Sequence, residues 1–314
     1  MGSFIVRRFT QGILTVVLAS ILVFLVMRLI PGDPALLLVG TDASPEDVER
    51  VREQLGLNEP LIEQYVDWLT GALQADFGPS ISKGTEVGAL MKGALLPSAE
   101  LAVAGYVFAL AFGIPLGIVA GLKPGGAGDY AATGFTMFTL GIPNFVLGIL
   151  LIWVLAVLLG WLPITGRVAI NEDPLEAIKF LIMPMIAVGA GTAAVLARFV
   201  RASIMETLNQ DYVRTARAKG LRERTVVLRH AMRNALIPVI TVAALQIGFL
   251  ISGAVIVEVV FARPGFGSLI IAAVIGRDYQ LIQGMLVVLV TVFVVVNSLA
   301  DVAYGLADPR IRVS

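Results

Sequence analysis

The sequence predicts an all-α polytopic membrane protein with six transmembrane helices. Both termini are placed in the cytoplasm, and a helical extracytoplasmic segment separates the first two spans. Three observations carry this: an excess of apolar residues, apolar runs of spanning length, and a loop charge asymmetry that fixes direction. Of 314 residues, 57% are apolar and only 15% charged, with a mean hydropathy of +0.88. Soluble domains hold about 45–50% apolar residues, glycine included, and about 25% charged ones; here the 32 glycines come on top of the apolar share. The chain has no cysteine and a single histidine, His230, which excludes disulfides, thiol catalysis and clustered Cys or His metal sites. Formal charge is zero, with 23 basic and 23 acidic residues, so nucleic acid is not an expected partner.

A span needs about 20 mostly apolar residues to cross the hydrocarbon core. The first runs from Phe9 to Ile30, between Arg7-Arg8 and Pro31-Gly32-Asp33-Pro34. It is too long for a signal peptide and lacks a small-residue cleavage site, so it is read as retained. The polar stretch Pro31–Ser98 follows, then spans near Ala99–Leu122, Tyr130–Leu159, Ala177–Phe199, Leu236–Val260 and Leu281–Leu306. Pro115, Pro143 and Pro184 lie inside spans two, three and four, where neighbouring helices can satisfy the freed backbone. The third is long enough to tilt or kink. This gives an organisation of 1–30, an outer segment 31–98, a five-helix core 99–306 holding a cytoplasmic loop at 200–235, and a tail 307–314.

Between Arg198 and Asn234, nine basic residues face three acids; in Pro31–Ser98, four face eleven. Basic loops stay cytoplasmic. Arg7-Arg8, Lys123 and Arg310/Arg312 fall on the side of the basic loop, which puts both termini there. Within the outer segment, Ser44-Pro45-Glu46-Asp47 reads as a helix start: a hydroxyl for orphan amides, proline in the first turn, and acids at the positive end. Val48, Val51 and Leu55 continue at helical spacing to a stop at Gly56. A second helix, Leu61 to Leu73, puts Leu61, Tyr65, Trp68/Leu69 and Ala72 on one face, suited to packing on membrane or bundle or to docking an external partner.

The stretch Asn209–Pro238 holds the most information. Asp211 is placed as an N-cap for a short helix through Lys219, and Gly220 as its left-handed stop. A second helix runs from about Arg222 into the fifth span, with Arg222, Arg229 and Arg233 on one stripe and Leu221, Thr225, Leu228 and Met232 on the next. On spacing alone this is either a rigid projection that fits a cleft of another protein or a basic hairpin lying on anionic headgroups.

The stretch resembles the signature of the permease subunits of binding-protein-dependent ABC importers, a Glu-Ala-Ala triplet with glycine six residues after its first member. Here Arg214-Thr215-Ala216 stands for the triplet and Gly220 for the glycine, while Met232-Arg233 replaces a later Leu-Pro pair. Both departures match the dipeptide/oligopeptide branch, whose Asp-Tyr-Val-Arg-Thr-Ala-Arg-Ala-Lys-Gly-Leu and His-Ala-x-Arg-Asn-Ala-Leu-x-Pro runs recur at Asp211–Leu221 and His230–Pro238. Further similarities are Pro31-Gly32-Asp33-Pro34, Leu55-Gly56-Leu57, Asp76-Phe77-Gly78 with Ser80, Leu162-Pro163 with Gly166, Phe261 with Pro264-Gly265-Phe266-Gly267, Arg277-Asp278-Tyr279 and Asp308-Pro309-Arg310. They span nearly the whole chain and resemble the B-type permease of the pair.

The resemblance implies a bacterial or archaeal plasma-membrane subunit that imports di- or oligopeptides, with nickel chelates or glutathione as alternatives. Its implied partners are a second homologous permease, two ATPase subunits and an extracytoplasmic solute-binding protein. ATP and Mg belong to the ATPase subunits, and this chain holds no cofactor or metal and is no enzyme. Asp211, Tyr212, Arg214, Thr215, Ala216, Arg217, Gly220 and Leu221 would couple it to them by alternating access.

The chain contains no Gly-x-x-x-x-Gly-Lys-Ser/Thr loop. Gly189-Ala190-Gly191-Thr192 reads as close helix packing, and His230 as a packing residue. Asn144, Gln246, Ser252, Glu258 and Asn297 are candidates to line a polar pathway or to make interhelical hydrogen bonds; Glu258 and Asp301 sit near span ends, within reach of the interface. A self-sufficient secondary transporter or channel would need mid-membrane charges, and the span centres are nearly free of them. A membrane scaffold fits the kinked, glycine-rich spans less well.

Overall fold

A computed structural model describes residues 2–30, 34–40 and 43–307, and among these the chain is helical with no strand. Pro31-Gly32-Asp33, Asp42, Asp308-Pro309-Arg310 and Arg312 lie outside the described residues. In order come α1 (Gly2–Leu29), α2 (Pro34–Val39), α3 (Pro45–Gln54), α4 (Leu61–Leu73), α5 (Val87–Leu122), α6 (Ala127–Gly141), α7 (Asn144–Leu151, extended by a π-helical turn, Ile152–Leu158), α8 (Pro174–Leu208), α9 (Asp211–Ala218), α10 (Glu223–Thr225, running through a π turn, Val226–Ala231, into α11), α11 (Met232–Val260), α12 (Phe266–Ile275) and α13 (Tyr279–Ala307).

Among the described residues, five helical segments are long and apolar enough to cross a bilayer: Val6–Leu29, Val87–Leu122, Pro174–Leu208, Glu223–Val260 and Tyr279–Val302. The expected third span is broken rather than tilted. Its halves, Ala127–Gly141 and Asn144–Leu158, meet at 108°, and the count reaches six only if they make one span. Pro143 is the cause. It lacks an amide hydrogen, and its ring drives the preceding residue out of the helical region, so Ile142 is extended (φ −109°, ψ 127°). Pro115 and Pro184 stay inside continuous helices.

The chain falls into two compact units, one built mainly of Pro97–Pro264 and the other of Val6–Leu96 with Gly265–Val295. In the first, α8 is the inner helix: 61% of its most apolar window is buried, against 17–33% for the other spans. Small residues make this possible. Gly113 and Gly117 of α5 lie so close to α8 that a Cβ on either would stand 2.5 Å from the carbonyl oxygen of Ala193 or Ala197. Gly189, within the small-residue run, likewise meets the backbone of Gly105. Lipid offers apolar groups no drive to separate from it, so such backbone approach is what holds membrane helices together.

In the second unit, Met27, Met91, Phe266, Leu281 and Met285 form the core. Helix α3 starts as its sequence directs: Ser44 Oγ accepts from Asp47 N at 3.2 Å, and Gly56, with φ +63°, lies just past the end. Helix α4 has the expected bounds and, except at Leu61, the expected face. Tyr65 and Trp68 pack on Phe24 of α1 at 5.4 and 6.2 Å, whereas Leu61 is 53% exposed and the buried position is Gln64. Near a membrane an apolar side chain gains nothing in particular from the protein interior, so it does not mark the inner face.

Asp278 explains two of the quoted motifs at once. Fully buried, it accepts from Ser80 Oγ (2.5 Å), Ser82 N (3.0 Å) and Ser82 Oγ (2.8 Å), and its other oxygen caps α13 through Leu281 N (3.1 Å). Burial pushes its carboxyl up, but the four donors outweigh that and hold it below the usual carboxylate range. A depressed folded-state value contributes stability above the unfolded value and loses it as pH falls through the folded one. Asp278→Asn should therefore lower the thermal midpoint of the detergent-solubilised chain by a constant gap above about pH 5, narrowing below about pH 4. A gap that stays constant to pH 3 or below counts against an ionised Asp278.

Candidate functional site

Helix α8 ends at Leu208, and Gln210, extended and with no side-chain cap bond, leads into α9. Asp211 is therefore not the N-cap. It occupies the first helical position, where its charge still complements the positive helix end, and its carbonyl oxygen accepts from Thr215 Oγ1 at 2.9 Å. The other end follows expectation. Lys219 closes the helix and Gly220 turns left-handed at φ +76°; Gly220 N bonds Arg217 O (2.9 Å) and Leu221 N bonds Ala216 O (3.4 Å), the paired bonds of a Schellman stop.

Val213 and Ala216 face inward and pack with Val226 and Leu208, so α9 is clamped between the ends of α8 and the approach to α11. Arg217 crosses the turn to Glu223 in a two-point pair (Nε 3.1 Å, Nη2 2.7 Å), whose hydrogen bonds hold the guanidinium above its ordinary range. Asn234 Nδ2 donates to Tyr212 Oη at 3.0 Å, and Ser203 Oγ of α8 donates to Ala235 O of α11 at 2.7 Å. What remains outside is Asp211, Tyr212, Arg214, Thr215, Arg217, Gly220 and Leu221, all exposed. Of the expected coupling residues only Ala216 is turned in. Arg222, Arg229 and Arg233 are exposed, as is Leu228; the buried line on this helix is instead Val226, Ala231, Ala235 and Val239. His230 lies half-buried in the π turn. The result is an elbow, packed on one side and exposed on the other, joined to two long helices.

The polar candidates fall in two places. Asn144 opens α7 at the break, with its amide between two glycines: a Cβ at Gly253 of α11 would come within 3.0 Å of its Nδ2, and one at Gly191 of α8 within 3.8 Å of its Oδ1. Gln246 and Asn297 are half-buried, and Ser252 is exposed with its hydroxyl donating to Gly248 O at 3.4 Å. Glu258 does not reach a surface. It is 1% exposed and accepts from Ser98 Oγ.

It lies in a charged cluster that the sequence reading passed over. Glu100 accepts from Arg167 Nε (2.9 Å) and Nη2 (2.6 Å) and from Arg263 Nη2 (3.0 Å), with Arg263 only 2% exposed. Burial pulls the Arg263 guanidinium below its ordinary range, against the attraction of Glu100 and Glu258. Its Nε has no hydrogen-bond partner among the described residues. The available signal was Glu100 itself, an acid just inside an apolar run.

Two family models match the chain: "Binding-protein-dependent transport system inner membrane component" over residues 113–313, and the corresponding N-terminal membrane component over residues 1–83. The chain is 38% identical to a probable peptide ABC transporter permease protein, y4tP, of Sinorhizobium fredii, over 99% of this chain and 100% of the relative. It is 39% identical to the glutathione transport system permease protein GsiC of Escherichia coli K12, over 99% of each. Among solved structures, the inward-facing MetNI methionine ABC transporter aligns with a TM-score of 0.56 at 18% identity, over 70% of this chain and 96% of that one. An amino acid ABC transporter with histidines gives 0.54 at 15%, over 69% and 93%. At these identities the likeness to the solved structures is one of fold.

Proposed function

The chain belongs to the binding-protein-dependent transport system inner membrane component family, and from that premise we propose that it is a permease subunit of an ATP-driven importer of di- or oligopeptides. The observation that carries the reading is the elbow. A short helix is clamped at Val213 and Ala216, stopped by a left-handed glycine, and fastened to α8 and α11. Pushed from outside, such a unit moves as a lever rather than deforming.

In this reading the elbow is cytoplasmic, as are both termini, and the segment 31–98 faces the outside, as the loop charges favour. Two ATPase subunits, which bind ATP and Mg, grip the elbows of this chain and of a homologous second permease. Their closure displaces Tyr212, Arg214 and Leu221, and the Arg217–Glu223 and Tyr212–Asn234 ties pass the movement to α11. The pathway then opens outward to accept solute from an extracytoplasmic binding protein. Work is done only because the elbow meets different contacts in the two states of its partner. The break at Pro143, with Asn144 against glycines of α8 and α11, is the place where that movement reaches a polar group within the bundle. The likeness to GsiC favours glutathione, itself a small peptide, as a second reading of the solute.

Because the chain has no cysteine, Tyr212→Cys supplies a unique thiol. In the reconstituted complex it is expected to cross-link to an ATPase subunit, with a yield that changes when ATP is trapped. Uptake of labelled dipeptide or glutathione should require ATP hydrolysis. Uptake by this chain alone without ATP, or a thiol that reacts only with lipid probes, overturns the reading.

A further inference from the structure

The unit containing α1 and α4 holds an unassigned cavity of about 210 Å³, opening beside a wider cleft of about 680 Å³; Arg28, Leu57, Gln64 and Tyr279 line both. Gln64 is 9% exposed, and its Nε2 donates to two backbone carbonyls, Leu57 O at 3.2 Å and Glu59 O at 2.7 Å. Those two acceptors fix which way the amide lies, since an oxygen placed there would face two oxygens. The Gln64 Oε1 is thereby turned away from them, and it has no hydrogen-bond partner among the described residues. Gln280, also on the smaller cavity, has a buried Oε1 in the same condition. The carboxylates of Glu59 and Asp67 border the same space. Among the described residues Arg28 is the one basic side chain on this cavity, and two unsatisfied acceptors with two acids against it suit a ligand that donates several hydrogen bonds and carries positive charge.

The wider cleft asks for the opposite charge and for hydrocarbon. Arg28 stands over the Phe24 ring at 4.9 Å and forms no ion pair among the described residues, while Leu25, Leu29 and Leu61, exposed by 44%, 81% and 53%, supply an apolar flank. Arg28 ends a span, Val6–Leu29, so it sits at headgroup depth whichever way the chain is oriented, and Trp68 and Tyr279 are aromatics of the kind that favour that depth.

We propose that this paired cavity binds the headgroup of a zwitterionic phospholipid carrying a primary amine. The alkylammonium enters among Gln64 Oε1, Gln280 Oε1, Glu59 and Asp67, the phosphate meets Arg28, and an acyl chain follows Leu25 and Leu29. A primary ammonium brings three N–H donors, whereas a trimethylated one has the same charge and none. The site therefore separates phosphatidylethanolamine from phosphatidylcholine by hydrogen bonding alone. The inference does not rest on the transport reading; it needs only that α1 spans a bilayer.

The test is lipid retention by the full-length chain in detergent, read by native mass spectrometry with phosphatidylethanolamine, phosphatidylcholine and phosphatidylglycerol of identical acyl chains. Two additional donor–acceptor bonds correspond to a preference of about tenfold for the primary amine over either competitor. Gln280→Met, which keeps length and removes one of the two acceptors, should cut that preference to about threefold. Asp67→Asn at an exposed position, which removes a charge that both ammonium lipids feel, should instead weaken the ethanolamine and choline lipids together and leave their ratio in place. Arg28→Gln should weaken all three lipids together. Should Gln64→Leu misfold for want of its two backbone bonds, the other variants still decide. Equal retention of the ethanolamine and choline lipids overturns the proposal, whether ordered water or a protein side chain then fills the cavity.

Discussion

Replacing Gly220 with valine is expected to leave the chain inserted and folded while lowering ATP-coupled uptake by more than tenfold. The residue is left-handed at φ +76°, where an L side chain costs about 1–2 kcal/mol and a β-branched one the most. A Cβ there meets nothing within 4 Å, so crowding plays no part and the whole effect comes through the backbone. The cheapest relief is to let the turn relax, which breaks the paired bonds to Ala216 O and Arg217 O and swings Arg217 away from Glu223. A cost of that size is small beside the 5–15 kcal/mol of a typical domain, so the fold survives while the lever loses its shape. Asparagine tolerates the left-handed region, and Gly220→Asn should retain most uptake. The check is uptake and ATP hydrolysis measured together in proteoliposomes: hydrolysis persists in the valine variant without matching transport. Equal, normal coupling in both variants would remove the elbow from the mechanism.

That hinge was legible in sequence because a glycine between two polar, helix-forming stretches is an instruction about backbone, and backbone instructions survive any solvent. The same holds for the Ser44 cap and for the bounds of α4. Readings that depended on where apolar or charged side chains turn fared differently. Leu61 is exposed and Gln64 buried because two backbone carbonyls hold the Gln64 amide in place, a long-range match of turn and helix that periodicity does not encode. Asp211 lies one position inside its helix rather than at the cap, a shift that capping preferences alone do not resolve. Pro143 was seen, yet a proline inside an apolar run predicts only that something bends. Pro115 and Pro184 show it need not break, and the difference at 143 is that Ile142 takes the extended conformation. Glu258 reads as an interfacial acid from its position near a span end. Its burial goes with a hydrogen bond from Ser98 and the nearby charge of Arg263, residues far apart in sequence.

Glu100→Gln should strongly destabilise the Pro97–Pro264 unit. The carboxylate takes three hydrogen bonds from two arginines, one of them 2% exposed and the other in a side-chain environment 16% exposed. A neutral amide of the same shape accepts at only one atom and presents N–H donors to the guanidinium at the other. Glu258 is left as the nearby acid for Arg263, and its Oε1 is already engaged by Ser98. Breaking a buried pair on one side costs about 3–5 kcal/mol, because it strands the remaining charge rather than merely forfeiting attraction. That is a large share of total stability, so the variant should accumulate poorly in the membrane and lose about 6–20 °C of thermal midpoint in detergent. Stranding has a signature that lost packing lacks. Removing Arg263 as well relieves part of it, so Glu100→Gln combined with Arg263→Gln should cost less than the sum of the two single changes by at least about 1 kcal/mol. Simple additivity in that double-mutant cycle, or a Glu100→Gln chain as stable as the parent, would mean the cluster is hydrated and its charges are not held by one another.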